Sequence, residues 1–102
     1  MFSVLHLHGS SDKNPPLDAL NDLYDELQFA DIEYVDVTVI HDDTGWSLSA
    51  YPSGRLIFGN LADMGGCHMI PVSRERVLEL WRLLAAGDID TLLKEPWLPG
   101  YG

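Results

Sequence analysis

Val35-Asp36-Val37-Thr38-Val39-Ile40-His41-Asp42-Asp43-Thr44-Gly45-Trp46-Ser47-Leu48-Ser49-Ala50-Tyr51-Pro52-Ser53-Gly54-Arg55-Leu56-Ile57-Phe58 is the stretch on which the fold turns. Two turn-forming clusters, Asp42 to Gly45 and Pro52 to Gly54, separate three runs rich in β-branched and aromatic residues. Pairing His41 with Trp46 and Tyr51 with Arg55 tests both turns at once. It places Val35, Val37, Val39, His41, Trp46, Leu48, Ala50, Leu56 and Phe58 on one face. The other face receives Asp36, Thr38, Ile40, Ser47, Ser49, Tyr51, Arg55, Ile57 and Leu61. An apolar face opposite a mixed one is what an antiparallel sheet with one packed side requires.

Outward from this core, strands are expected at about 34–41, 46–51, 55–61 and 67–71, with a looser third turn from Asp63 to Gly66. Towards the N-terminus, Phe2 to His8 reads as a strand and Gly9 to Asn14 as a connection. Asn14 is placed to cap a helix that starts at Pro15, whose apolar stripe is Leu17, Leu20, Leu23, Tyr24 and Leu27. Towards the C-terminus, Ser73 caps a second helix with Val77, Leu78, Leu80, Trp81, Leu84 and Ala85 on its apolar side, and Gly87 stops it. A helical turn from Asp88 to Lys94 ends before Pro96, and the apolar tail Trp97-Leu98-Pro99-Gly100-Tyr101 is expected to pack back. The fold class is therefore α+β: a strand and a helix, then a four-stranded antiparallel meander and a C-terminal helix, with the helices packed on one sheet face.

With 102 residues, 46% of them apolar, the chain suits one domain over 1–102 and excludes a disordered one. It shows neither a cationic start followed by an apolar run nor the roughly eighteen apolar residues needed to cross a bilayer, so no membrane association is expected. Cys67 stands alone, which rules out an intramolecular disulfide framework and fits a reducing compartment. The expectation is a soluble, cytoplasmic protein.

Charge is the most uneven property of the chain. Residues 1–54 hold ten acidic residues against the single base Lys13, whereas 55–102 hold six acids and five bases. Such a field repels phosphate backbones and excludes nucleic acid as a partner, because phosphate contacts need clustered Lys and Arg. Asp18, Asp22, Asp25 and Glu26 fall opposite the apolar stripe of the first helix, with no base three or four residues away to offset them. The same ridge also reads as an ordinary solvated face. Tyr51, Ile40, Ile57 and Leu61 interleave with Ser47, Ser49, Thr38 and Asp36 on the outer sheet face, a composition nearer to an interface than to a solvated surface. Binding of a cationic protein is thus expected through Asp18, Asp22, Asp25, Glu26, Asp36 and Tyr51.

No catalytic constellation emerges. Cys67 and His68 are neighbours in a strand and point to opposite faces, so a nucleophile–base pair is not formed. Met64-Gly65-Gly66 lacks the Lys and Ser/Thr of a phosphate loop, and Asp42-Asp43-Thr44-Gly45 lacks the alternating ligands of a calcium loop. No catalytic residue, cofactor or metal is expected. The competing class is a small-molecule or metal-binding domain, or an enzyme, that gathers His6, His8, His41 and His68; a third is a structural subunit whose sheet face forms a homodimer.

Trp46-Ser47-Leu48-Ser49-Ala50-Tyr51, Arg55-Leu56-Ile57-Phe58-Gly59-Asn60 and Val77-Leu78-Glu79-Leu80-Trp81, together with the small acidic α+β layout, resemble the immunity proteins of bacterial toxin systems. The resemblance implies a non-enzymatic inhibitor of a cationic toxin domain. It transfers no site residue, so the candidate residues rest on the reading above.

Overall fold

Both hairpin turns close as their residues dictate. Gly45 and Gly54 adopt φ of 78° and 89°, conformations open to glycine at no steric cost. Gly45 N–H donates to His41 O at 2.8 Å, and Tyr51 N–H to Arg55 O at 3.0 Å. The strands they join are β3 (Val37–His41), β4 (Trp46–Ala50) and β5 (Leu56–Asn60). Val37 faces Ala50, Val39 faces Leu48 and Phe58 faces Leu48 across the ladders, the register that sets His41 across from Trp46.

The computed structural model describes residues 1–60 and 66–100. Among these, seven strands form one antiparallel sheet, accompanied by three α-helices. Besides the three strands above, these are β1 (Phe2–Leu5), β2 (Ser11–Lys13), β6 (Gly66–Met69) and β7 (Leu98–Pro99), in the spatial order β2-β1-β3-β4-β5-β6-β7. The helices are α1 (Ala19–Asp25), continued by a 3-10 turn (Glu26–Phe29), α2 (Arg74–Ala85) and α3 (Ile89–Leu93). Leu61 and most of the turn from Asp63 to Gly66 lie outside the described residues, as does Tyr101.

The N-terminal third departs from expectation. The first strand stops at Leu5, because the chain turns at His6, whose carbonyl accepts from Gly9 N–H while its own N–H donates to Ser10 O. Ser11 to Lys13 then runs back along β1 as a strand and not as a loop. Asn14 caps no helix: it sits at φ 51°, and its N–H donates to Phe2 O. Pro16 disfavours helical geometry at Pro15, so α1 starts four residues later, at Ala19. Val35, expected on the packed face, precedes β3 and is exposed.

The packed face matches its sequence pattern elsewhere. Val37, Val39, Leu48, Ala50, Leu56 and Phe58 are buried in one cluster with Leu20 and Leu23 of α1 and Val77, Leu80, Trp81 and Leu84 of α2. The Trp81 indole N–H donates to Leu48 O at 3.0 Å in the interior. Phe58 is sandwiched between Trp46 and Trp97, with ring centroids at 4.6 and 5.0 Å and near-parallel planes. The tail thus returns to the body, with Leu98 opposite His68 in β6. Ser73 Oγ accepts Arg76 N–H at 3.2 Å, capping α2 as its sequence implies. Gly87 ends the helical segment at φ 80°, where an added Cβ would lie 3.1 Å from His41 Nε2.

Phe58→Ala should destabilise the protein by about 3–5 kcal/mol through loss of both ring partners and a cavity. Ser49→Ala removes only the part-buried hydrogen bond to Thr38 and should cost about 1 kcal/mol. Gly87→Ala should cost at least about 1–2 kcal/mol from left-handed geometry alone, before the His41 contact is relieved. Urea denaturation measures all three, and equal small effects at Phe58 and Ser49 would overturn the assignment of faces.

Candidate partner-binding surface

The helix α1 was expected to carry a ridge of four unpaired acids, and the structure divides it. Asp18 and Asp22 are exposed and, among the described residues, their carboxylates take no ion pair. Asp25 is tied to α2, accepting from Arg74 Nε at 3.1 Å and Nη2 at 3.2 Å. Glu26 turns inward: Oε1 accepts Leu7 N–H at 3.0 Å, and Oε2 lies 2.6 Å from His6 Nδ1. The partners of Asp25 and Glu26 come from distant segments, where helix-spacing arguments do not reach.

His6 binds a second carboxylate, Asp12 Oδ2, at 2.7 Å from Nε2. The hydrogen bond to Glu26, then that to Asp12, raises the imidazole pKa above its ordinary value of 6.5. The two carboxylates occupy opposite ring nitrogens, a bridging arrangement that cannot converge on one metal ion. The other histidines lie apart. His8 rests against the Tyr34 ring at 4.8 Å, His41 Nδ1 is 2.8 Å from Thr44 Oγ1, and His68 Nδ1 donates to Gly100 O at 2.8 Å. Among the described residues, no group of three or more His, Cys, Asp or Glu side chains is placed to hold a metal. Cys67 Sγ donates weakly to Phe58 O at 3.5 Å, and burial pushes its thiol pKa up, away from nucleophilic reactivity.

Asp36 and Tyr51 do come together, on the outer sheet face. Thr38 Oγ1 donates to Asp36 Oδ2 at 3.3 Å and shares a 2.8 Å hydrogen bond with Ser49 Oγ. The Arg55 guanidinium stands 4.3 Å above the Tyr51 ring, a cation–π contact. Partial burial, then the charge of Asp36, raises the Tyr51 phenol pKa, so the group stays a neutral hydrogen-bonding hydroxyl. A shallow hollow of about 330 Å³ opens here between Ser47, Ser49, Tyr51, Arg55, Ile57 and Asn60. A separate hollow of about 250 Å³ has Asp36, Thr38, Leu5 and Tyr34 in its walls. Arg55 was not among the expected site residues, although the hairpin register that pairs it with Tyr51 was sufficient to find it.

A larger hollow of about 590 Å³ lies between Met69 to Ser73, Arg76, Glu95, Pro96 and Leu98. Its charged groups satisfy each other through the Arg76–Glu95 ion pair, so it offers a ligand little beyond apolar wall. Among the described residues, no helix is long and apolar enough to cross a membrane.

The His6 bridge fixes the sign of a pH effect. Because its folded pKa is raised, its stabilisation is fully present below about pH 6.5 and is lost as pH rises through the folded value. Urea midpoints should therefore decline over that window more steeply in the native protein than in His6→Asn; identical slopes would show that the bridge contributes nothing. No family model, curated protein or solved structure matches this chain.

Proposed function

We propose that the chain is a non-enzymatic protein-binding module that captures a cationic protein, most specifically as a cytoplasmic, immunity-type inhibitor of a cationic toxin domain. The observation that carries this reading is the outer sheet face. Asp36 and Tyr51 sit together there beside a hollow lined by serines and Ile57. In this reading the helices gather on the opposite face of the β3 to β6 strands and leave the outer face for the partner.

Roles divide by distance. The formal charge of −10 attracts a basic protein from afar, and Asp18 and Asp22 extend that field from α1. Asp25 and Glu26 contribute to the field but are held by Arg74 and His6, so they are less free to form new contacts. Tyr51 is the anchor: a half-buried aromatic with a neutral hydroxyl suits the centre of an interface.

The test pairs rates with charge. A partner is recovered on the immobilised chain from the native cell extract, purified, and its association and dissociation rates are measured against ionic strength. Asp18→Lys with Asp22→Lys should slow association by roughly tenfold at low salt, and the difference should fade as the Debye length shrinks from about 10 Å at 0.1 M to about 3 Å at 1 M. Tyr51→Ala should chiefly accelerate dissociation, by roughly thirtyfold for a loss of about 2 kcal/mol. Recovery of only non-basic partners, or association indifferent to salt and to the charge reversal, would refute the proposal.

A further inference from the structure

The edge strand β2 is fastened in an unusual way. It is three residues long, all its side chains are exposed, and it pairs with β1 alone. Hydrogen bonds from His6 N–H to Ser10 O and from Asn14 N–H to Phe2 O flank it. Among the described residues, its side-chain tie to the rest of the molecule is Asp12 to His6. The same imidazole holds Glu26 on the 3-10 turn, at a shielded position with 28% of the Glu26 side chain exposed against 63% for Asp12.

From this geometry we infer that His6 is a protonation-dependent latch, which holds β2 against the sheet while its ring is charged and frees the strand when the ring is neutral. A neutral imidazole has one N–H and one lone pair, whereas two ionised carboxylates at 2.6 and 2.7 Å require two N–H donors. The closed arrangement therefore contains the imidazolium. On deprotonation one proton passes to solvent and one carboxylate must lose its donor. Glu26 keeps its own, because its second oxygen is fixed by Leu7 N–H. The proton lost is that on Nε2, leaving a lone pair facing the Asp12 carboxylate. That contact is repulsive, and Asp12, more exposed and carried on a strand with no buried side chain, is the group that moves.

The surroundings favour the charged state. Asp12 faces the ring from β2 and Glu26 from the 3-10 turn. Glu33, Tyr34 and Asp36 line the adjoining hollow from the segment before β3. Lys13 neighbours Asp12 on β2 but projects to the other side of the strand. His8 rests against Tyr34. The first effect of opening is to uncover the outer backbone edge of β1, a row of donors and acceptors suited to strand addition.

Amide hydrogen exchange on the full chain, read by NMR from about pH 5 to about pH 9 alongside the ring resonances of His6, tests the latch. Protection at the Asn14 and His6 amides, corrected for intrinsic exchange and referred to β4, should fall by roughly tenfold or more as His6 loses its proton. Asp12→Asn should abolish this pH dependence while keeping β2 protected, because the carboxamide N–H donates to the neutral Nε2. Flat protection across the His6 titration, or an equal fall in Asp12→Asn, would overturn the inference.

Discussion

The hydrogen bond from the Trp81 indole to the Leu48 carbonyl is the constraint on which the remaining geometry depends. A buried indole N–H without an acceptor costs about 1–3 kcal/mol, so α2 can pack deeply on the sheet only where a strand carbonyl meets that nitrogen. Once α2 is seated there, its two ends are fixed. Its first residue, Arg74, reaches Asp25 of α1, and the chain leaving its last turn brings Gly87 against His41. The acidic helix is held by this pair and, more firmly, by Leu20 and Leu23, which share the buried cluster with the central strands and α2.

Much of the excess negative charge is put to local use. Asp43 pairs with the N-terminal amine at 3.1 Å, Asp42 accepts from Ser3 Oγ at 2.9 and 3.0 Å, and Asp31 folds its own loop by accepting the Glu33 and Tyr34 N–H groups. The two backbone donors lower the Asp31 pKa, keeping it ionised. Acidity here combines joinery within the fold with a field around it, and only residues such as Asp18 and Asp22 serve the field alone.

What could be read in the sequence was what local chemistry controls. The two hairpins were legible because Thr44-Gly45 and Ser53-Gly54 sit between runs whose alternation agrees on a register. The cap at Ser73 and the stop at Gly87 were legible because each is satisfied within one turn. The short strands β2 and β7 were not, since Ser11-Asp12-Lys13 and Leu98-Pro99 have neither length nor alternation and become strands only because β1 and β6 offer an edge. The candidate surface divides similarly. Asp36 and Tyr51 were placed together by register, whereas the capture of Asp25 by Arg74 and of Glu26 by His6 depends on contacts 49 and 20 residues apart. No periodicity encodes such distances.

The order of the strands also bears on how the protein behaves when concentrated. Among the described residues, both borders of the sheet are formed by its shortest members, β2 with three residues and β7 with two. One border presents Asp12 and Lys13, and the other presents Pro99, which has no N–H to offer. The longer, apolar central strands are therefore screened from lateral addition of further chains, and self-association into extended sheets is discouraged at the borders themselves.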